Sequence, residues 1–205
     1  LPRDDVMIAQ GFYPDFTSWN DAGYRVTGKA EPADIAIVVV PRSKALARSM
    51  VAAAATWAKL VIVDGYKTDG VDSLFKECRK RLGDVSSIPK GHGRIFWFEG
   101  TDAFTDWAAP PPVQGDHGFY TTAGVFSDGA VDKGSALLAE VLPEKMPSKM
   151  ADIGAGWGYL AAPVLARAGV ASLDMIEAET LSLDCARLNV TDTRVNFHWA
   201  DATTF

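Results

Sequence analysis

Residues 150–160 read Met-Ala-Asp-Ile-Gly-Ala-Gly-Trp-Gly-Tyr-Leu, the most informative segment for predicting the fold. It predicts the end of a buried strand, a tight turn and the start of a helix. Glycine at alternate positions suits such a turn, because it adopts positive φ and lets a ligand approach the main chain closely. Amide groups at the start of the helix would point into the turn. We therefore expect a ligand-binding loop; the alternative is a glycine-rich turn that binds nothing.

Asp152 distinguishes this loop from the common phosphate-binding loops. No Lys-Ser or Lys-Thr pair follows the glycines, as a P-loop requires, and Gly158 comes one residue too early for the G-x-G-x-x-G pattern. A carboxylate at this position repels a pyrophosphate but accepts hydrogen bonds from a cationic or amino-bearing ligand. The spacing therefore gives little support to a dinucleotide-dependent oxidoreductase.

Two further acidic residues follow the loop, each at the end of a predicted strand. Glu177 ends the second strand, about 20 residues past the glycines, where an acid binds ribose hydroxyls. Asp201 and Ala202 follow the third strand. Because ligands of doubly wound sheets lie beyond the carboxyl ends of the strands, we expect these two acids and Asp152 to project into one crevice.

Residues 1–107 predict another α/β unit, which lacks a glycine loop of this kind. Strands alternate with helices, and Ser43 is a suitable N-cap for one of these helices. The continuous apolarity of residues 33–40 predicts a parallel strand buried on both faces. Three consecutive prolines within residues 108–118 mark a linker. The expected fold is α/β, with two tandem doubly wound domains, the second (residues 119–205) truncated after its third strand.

The basic residues are clustered, although the chain carries a net charge of −6. A net-acidic chain is weak evidence for nucleic-acid binding, so only a local patch counts. Lys76 and Lys80 lie on one predicted helix. Lys90, His92 and Arg94 recur with period two, which puts them on one face of a strand. Because basic groups on one face bind phosphates, the four Lys and Arg residues are RNA-binding candidates; the alternative is an ordinary solvated surface.

The cysteines and apolar runs limit the class of protein. Cys78 and Cys185 are far apart and have no metal-ligand or redox spacing, so we expect no metal and a reducing, cytoplasmic setting. The longest apolar runs are too short to span a membrane, and no signal peptide is visible. The sequence starts without Met and stops at Phe205, just after a third strand, which would leave an open sheet edge. We therefore expect a fragment that lacks residues at both ends.

Residues 124–135, called the lid loop below, are rich in turn formers and precede the strand of the glycine loop. Phe126 could cover an adenosyl or base ring, and Asp132 could bind an amine. Ser135 is a candidate N-cap for the helix that follows. We expect the lid loop to fold over the ligand cleft; the alternative is a structural loop without a ligand contact.

The glycine loop resembles motif I of the class I S-adenosylmethionine-dependent methyltransferases. Glu177 matches that family's ribose-binding acid, and Asp201 and Ala202 match its adenine-edge pair. The lid loop resembles a motif of the "methyltransferase small" group, which includes the small-subunit ribosomal RNA guanine-N2 methyltransferases. The resemblance implies S-adenosylmethionine as cofactor and ribosomal RNA or the small ribosomal subunit as partner. The cofactor-binding residues it implies are Asp152, Gly154, Ala155, Gly156, Gly158, Glu177, Asp201 and Ala202.

The first half is similar to the family's degenerate N-terminal domain, which has lost cofactor binding and is thought to help folding and to hold RNA. The similarity lies in residues 67–71 and 90–94.

The family's catalytic signature, Asn-Pro-Pro-Phe, does not occur in the 205 residues, and we expect it to lie beyond Phe205. In the family it accepts hydrogen bonds from the exocyclic amine and aligns its nitrogen with the activated methyl group. We therefore expect the fragment to be inactive and the full protein to be active.

The function favoured by these motifs is methylation of the exocyclic N2 of a guanine in small-subunit ribosomal RNA, with the guanine entering beside Phe126. Two alternatives remain open. One is a methyltransferase that acts on another amine, and the other is a non-catalytic RNA-binding or assembly module.

Overall fold

A computed structural model describes residues 2–205, apart from the side chains of residues 128 and 129. The chain forms two compact units. One consists of residues 31–110, and the other combines the segment that ends at Ala30 with residues 111–205. The division after Pro110 lies within the predicted linker. However, the segment before residue 31 packs with the second unit, whereas the sequence analysis placed it in the first domain.

The N-terminal segment is a small βαβ element. Strand β1 (Met7–Ala9) pairs in parallel with β2 (Arg25–Thr27), and helix α1 (Tyr13–Asp21) connects them. Pro14 lies in the first turn of α1, where the missing amide costs no intrahelical hydrogen bond. The loop between β1 and α1 contacts residues 111–205, because the Thr180 amide donates to the Gly11 carbonyl at 3.0 Å.

The unit of residues 31–110 contains a four-stranded mixed sheet. Strands β3 to β6 are ordered β3-β4-β6-β5; β3 and β4 are parallel, and β6 is antiparallel to both of its neighbours. The prediction of a doubly wound parallel sheet is therefore wrong for this unit. Its elements are β3 (Ala33–Val39), α2 (Lys44–Trp57), β4 (Ala58–Tyr66), α3 (Val71–Leu82), β5 (Ser86–Lys90) and β6 (Gly93–Glu99).

Helices α2 and α3 pack on one face of this sheet, where Val61, Val63 and Phe96 are fully buried. The opposite face of β3 is exposed, with Ile37 and Val39 at 62% and 65% exposure. The expectation of a strand buried on both faces is therefore wrong, because apolar composition does not tell which face a helix covers.

The predicted N-cap of α2 is confirmed. The Ser43 hydroxyl accepts a hydrogen bond from the Leu46 amide at 3.4 Å.

The predicted basic strand is not confirmed. Lys90 ends β5, a turn includes His92, and Arg94 belongs to β6, with Lys90 and Gly93 paired across the hairpin. The predicted single face of the three basic residues does not exist, because the chain reverses between them.

The second unit contains a parallel three-stranded sheet in the order β11-β10-β9. This part has the predicted succession of strand, glycine loop, helix, strand, helix and strand. A short hairpin and helix α4 precede it. The elements are β7 (Val113–Gln114), β8 (Tyr120–Thr121), α4 (Lys133–Val141), β9 (Lys149–Ile153), α5 (Ala161–Leu165), β10 (Ser172–Glu177), α6 (Thr180–Asn189) and β11 (Val195–Trp199).

The core of this unit lies between β10 and the helices. Leu173 and Met175 are buried on β10 and pack with Ala161 of α5 and Ala186 of α6. In the parallel register, Asp152 of β9 lies opposite Met175. This arrangement brings the carboxyl ends of β9 and β10 to one edge of the sheet, next to the glycine loop. Among the described residues, no helix is long and apolar enough to cross a membrane.

Candidate functional site

A cleft of about 350 Å³ lies at the carboxyl ends of β9 and β10. It is built entirely from the second unit and runs between the glycine loop and the lid loop. Its lining includes residues predicted from the sequence and others that were not. The lining residues are Gly124, Phe126, Asp132, Ser135, Asp152, Gly154, Ala155, Gly156, Trp157, Tyr159, Leu160, Glu177, Glu179 and Ser182.

Asp152, near the end of β9, lines the cleft and has one unpaired oxygen. Its Oδ2 atom is buried and has no hydrogen-bond partner among the described residues. Burial raises the pKa of Asp152 above its usual value of 3.8, and the negative charge of Glu177 raises it further. A buried, unpaired carboxylate oxygen costs free energy unless a donor reaches it. Asp152 therefore has a buried acceptor atom that a donor reaching into the cleft could satisfy.

The glycine-loop amides are used inside the protein. The amides of Gly154 and Ala155 both donate to the Ile176 carbonyl, at 2.9 and 3.1 Å. The Gly156 amide donates to Oε2 of Glu177 at 2.7 Å. These three amides are therefore not free to donate to a ligand in this arrangement, and contact of Gly154, Ala155 and Gly156 with the cofactor stays a prediction. They fix the loop against the end of β10 instead.

The three glycines of the loop differ in what surrounds them. Gly154 and Gly156 have φ of 72° and 56°, and a Cβ on either would meet open space. Gly158 does not line the cleft; a Cβ there would lie 3.0 Å from Cγ2 of Val190. The first two glycines therefore leave room for a ligand beside the main chain, and the third allows close packing against α6.

Glu177 is hydrogen-bonded to both the glycine loop and the turn that follows β10. Besides the bond from the Gly156 amide, its carboxylate accepts a hydrogen bond from the Glu179 amide at 2.8 Å. A carboxylate has about four acceptor positions, so about two remain for a ligand. Glu177 is thus held rigidly and can still accept from a pair of hydroxyl groups.

Asp201 and Ala202 do not line the cleft. The Asp201 carboxylate accepts hydrogen bonds from the amide and the hydroxyl of Thr203, at 2.8 and 2.7 Å. These bonds lower the pKa of Asp201 below its usual value. The structure therefore brings Asp152 and Glu177 together, but it does not bring Asp201 into the same crevice.

Phe205, the last residue of the chain, also lies outside the cleft. It is 62% exposed, and its ring makes an edge contact with the ring of His198, with centroids 4.8 Å apart. The Asn-Pro-Pro-aromatic motif, which the sequence analysis placed beyond Phe205, has no counterpart among the described residues that line the cleft. Its position stays a prediction.

The lid loop contributes Phe126, Asp132 and Ser135 to the cleft. Phe126 is 64% exposed, and its carbonyl accepts a hydrogen bond from Nε1 of Trp157 at 3.3 Å. Asp132 is the N-cap of α4, since its Oδ2 accepts from the Ser135 amide at 2.9 Å. The prediction that Ser135 is the N-cap is therefore wrong, because the helix already begins at Lys133.

Several functional candidates were missed by the sequence analysis. Trp157, Tyr159 and Leu160 belong to the glycine motif, and all three line the cleft. Glu179 lines the cleft two residues after Glu177, and burial raises its pKa. A signal for Glu179 was present in the sequence, because a second acid follows the strand end directly.

Ser182 and Asn189 of α6 were also missed. Ser182 lines the cleft and is only 4% exposed. Asn189 links the glycine loop to β8: its Nδ2 donates to the carbonyls of Trp157 and Tyr120, and its Oδ1 accepts from the Tyr120 amide. Both residues lie on a helix face that a sequence pattern assigns simply to packing.

The four candidate RNA-binding residues fall into two groups. Lys76, Lys80 and Lys90 are exposed. Arg94 is engaged inside its unit: Nε donates to Asp72 at 2.7 Å, and the guanidinium lies 4.3 Å from the centre of the Phe75 ring. The Arg94 side chain is therefore engaged in contacts within its unit, whereas the side chains of the three lysines are accessible to solvent.

The chemistry of the cleft is acidic. It is lined by the carboxylates of Asp132, Asp152, Glu177 and Glu179, and none of its described lining residues is Lys, Arg or His. Within the part of the chain that the structure describes, no group of three or more His, Cys, Asp or Glu side chains could hold a metal ion. The cleft thus suits an organic ligand that carries positive charge and hydroxyl groups.

A parallel sheet, a glycine loop flanked by acids and a cleft at the carboxyl ends of the strands are the features of a Rossmann-like domain. Residues 116–204 match the model of the methyltransferase small domain. The match covers less than half of the chain, and all of it lies in the second unit.

The curated relatives that match the chain are methyltransferases by name. The chain is 31% identical over 141 residues to the ribosomal RNA small subunit methyltransferase C of Psychromonas ingrahamii. This alignment covers 63% of this chain and 40% of the relative. It is 30% identical over 165 residues to the protein of the same name from Shewanella halifaxensis. This second alignment covers 75% of this chain and 48% of the relative. The chain therefore spans less than half the length of these relatives.

A solved structure has the same fold. The T. thermophilus 16S rRNA N2 G1207 methyltransferase (RsmC), determined in complex with AdoMet and guanosine, superposes with a TM-score of 0.75 at 22% identity. The match covers 95% of this chain and 58% of that protein. At this identity the similarity establishes the mixed α/β methyltransferase fold.

Proposed function

We propose that the cleft binds S-adenosylmethionine and that the chain is part of a methyltransferase acting on the exocyclic N2 of a guanine in small-subunit ribosomal RNA. The observation that carries the proposal is that Asp152 and Glu177 line the same cleft as Gly154 and Gly156. A Cβ on either glycine would meet open space, so a ligand can approach the main chain there. The family of residues 116–204 and the names of the relatives support the reaction and the substrate class.

The charge of the cleft supports the cofactor. S-adenosylmethionine carries a sulfonium and an ammonium group, and Asp152 offers an unpaired oxygen to such a cation. Its ribose offers two hydroxyl donors to the remaining acceptor positions of Glu177. A pyrophosphate would meet four carboxylates without a basic residue among the described lining, so a dinucleotide is disfavoured.

In the proposed complex, Asp152 holds the amino end of the methionyl group and Glu177 holds the ribose. Phe126 of the lid loop is exposed at the rim, where it can stack on a base. When bound, the cofactor supplies an activated methyl group, so the protein mainly has to orient the acceptor nitrogen. The adenine role of Asp201 and Ala202 stays a prediction and requires a ligand that reaches beyond the cleft.

Isothermal titration of S-adenosylmethionine into the chain tests the proposal. We expect binding that weakens at least about tenfold in Glu177→Gln, which keeps the side-chain volume but removes the charge and one acceptor. Glu140→Gln is the matched control, because Glu140 is an exposed glutamate of α4 in the same unit. Equal affinity of Glu177→Gln and the unaltered chain, or preference for NAD, would reject the proposed S-adenosylmethionine site.

A second candidate function is a non-catalytic RNA-binding or assembly module, which the exposed Lys76, Lys80 and Lys90 favour. RNA binding that depends on these lysines but not on Asp152 or Glu177 would support it.

The 205 residues alone are not expected to transfer a methyl group, because the motif that aligns the acceptor nitrogen is expected beyond Phe205. This stays a prediction. An assay with labelled S-adenosylmethionine and small-subunit ribosomal RNA checks it, and transfer by the chain as it stands would show that other residues align the acceptor.

A further inference from the structure

The segment of residues 10–16, called the N-terminal clasp below, is attached to the end of β10. The Thr180 amide donates to the Gly11 carbonyl at 3.0 Å, and the Tyr13 amide donates to the Ala178 carbonyl at 2.8 Å. Phe12 and Glu179 form an isolated antiparallel bridge between these bonds. The clasp therefore pairs as a short strand with the turn that leads from β10 into α6.

Trp199, the last residue of β11, makes further hydrogen bonds and ring contacts with the clasp. Its Nε1 donates to the carbonyls of Gly11 and Ala178, at 3.1 and 2.8 Å. Its ring makes edge contacts with Tyr13 and Phe16, with centroids 5.0 and 4.9 Å apart. In the sheet, Trp199 is also the register partner of the last residue of β10. One indole thus ties the clasp to the turn and to the strand end beside the cleft.

Gly11 lies against the side chains of Thr180 and of Glu179, which lines the cleft. A Cβ at this position would be 2.6 Å from Oε1 of Glu179 and 2.7 Å from Oγ1 of Thr180. Its φ is outside the left-handed region, so the backbone would accept another residue and only space requires glycine. The Glu179 carboxylate therefore occupies the space that a side chain at residue 11 would take.

We propose that the N-terminal clasp positions the cofactor site, holding the turn of residues 177–180 so that the carboxylates of Glu177 and Glu179 face the cleft. This rests on the proposed function. It means that a segment preceding the unit of residues 31–110 contributes to ligand binding in the other unit. The residues of the clasp are positioning residues, since none of them is among the described residues that line the cleft.

Gly11→Ala tests the clasp directly. The added methyl group displaces the Glu179 carboxylate, so we expect the affinity for S-adenosylmethionine to fall about tenfold, within the range of coupling between contacting residues. Gly28→Ala is the matched control, because Gly28 lies in the same N-terminal segment and a Cβ there would meet nothing within 4 Å. Its affinity should equal that of the unaltered chain.

A double-mutant cycle separates positioning from general destabilisation. In a Glu179→Ala/Thr180→Ala background both colliding atoms are absent, so adding Gly11→Ala should leave the affinity unchanged. A further loss of similar size in that background would overturn the proposal. Thermal unfolding of each variant shows whether the losses follow stability instead.

Hydrogen exchange gives a readout that does not depend on activity. Trp199→Phe keeps an aromatic ring against Tyr13 and Phe16 but removes the indole donor, so we expect faster exchange at the Thr180 amide and weaker cofactor binding. By reciprocity, S-adenosylmethionine should slow exchange at the Tyr13 amide of the unaltered chain. Unchanged exchange at both amides would overturn the proposal.

The outcomes also distinguish the clasp from the function on which it rests. If the unaltered chain does not bind S-adenosylmethionine, the proposed function and the clasp are both rejected. If the chain binds it and Glu177→Gln weakens binding, while Gly11→Ala and Trp199→Phe do not, only the clasp is rejected.

Discussion

The carboxylate of Glu177 accepts a hydrogen bond from the amide of Gly156, with 2.7 Å between Oε2 and the nitrogen. This bond joins the acid at the end of β10 to the middle of the glycine loop. A hydrogen bond to a charged acceptor is among the stronger kinds, so the loop and the acid keep a fixed spacing. The cleft is therefore preorganised on this side, and a ligand orders fewer groups when it binds.

Asp152→Asn should increase stability while it weakens cofactor binding. The folded pKa of Asp152 is raised, so the folded state binds the proton more tightly and the free energy of unfolding falls as pH rises through this range. Removing the charge relieves this cost, and we expect the melting temperature at pH 7 to rise by about 2 °C. The affinity for S-adenosylmethionine should fall at least about tenfold.

Asp201→Asn is the control for this variant, because the Asp201 carboxylate is hydrogen-bonded to Thr203 and its pKa is lowered. Its melting temperature should fall or stay constant. Thermal unfolding with and without cofactor measures both effects. A lower melting temperature for Asp152→Asn would contradict the account of an unpaired, buried charge.

Cofactor binding should weaken as the solution becomes acidic. Burial raises the pKa values of Asp152 and Glu179, so these groups lose their charge at a higher pH than ordinary carboxylates do. A protonated Asp152 no longer attracts a cation. Titrations between about pH 8 and about pH 5 at constant ionic strength should show falling affinity, with a weaker dependence in Asp152→Asn. An identical pH profile for the two proteins would exclude Asp152 as the titrating group.

The local pattern predicted much of the second unit and its site. The strand, glycine loop and acid that carry Asp152 and Glu177 follow one another closely along the chain, so their spacing in sequence sets their spacing in the sheet. Gly158 was placed in the correct loop, but only the structure shows Val190 against it, and its contact with the cofactor stays a prediction.

Contacts between distant segments were not predictable in the same way. The pairing of Gly11 with Thr180 joins residues far apart in the chain, and no periodicity in either segment indicates it. The hairpin between β5 and β6 was missed because Lys90 and Arg94 keep the spacing of a single strand. Likewise, the apolar run of β3 did not reveal that Ile37 lies on an exposed face.

Asn189→Asp should loosen the glycine loop and the hairpin before the lid loop. The Asn189 amide donates to the carbonyls of Trp157 and Tyr120, and a carboxylate would place an acceptor against both. We expect a loss of about 1–3 kcal/mol in the free energy of unfolding. Hydrogen exchange at the Tyr120 amide should also accelerate, because Asn189 Oδ1 accepts from it.

Asn20→Asp is the matched control for the Asn189 variant, since Asn20 is an exposed residue of α1 in the same unit. Its unfolding free energy in denaturant should change by less than about 0.5 kcal/mol. Equal effects of the two substitutions would mean that the link from Asn189 to the two carbonyls is not important for stability.

Lys80→Ala and Arg94→Ala should separate RNA binding from stability. Lys80 is exposed, so its loss should weaken RNA binding and reduce the salt dependence by about one phosphate contact. Arg94 donates to Asp72 and to Ser87 and lies over Phe75, so its loss should destabilise the unit by about 2 kcal/mol. Filter binding at several salt concentrations and denaturant unfolding of each variant measure the two roles.

Asp72→Asn is the control for Arg94→Ala, because it weakens the same ion pair from the other side. It should reproduce part of the stability loss without reducing RNA affinity. If Arg94→Ala instead weakened RNA binding at unchanged stability, Arg94 would belong with the lysines as an RNA contact.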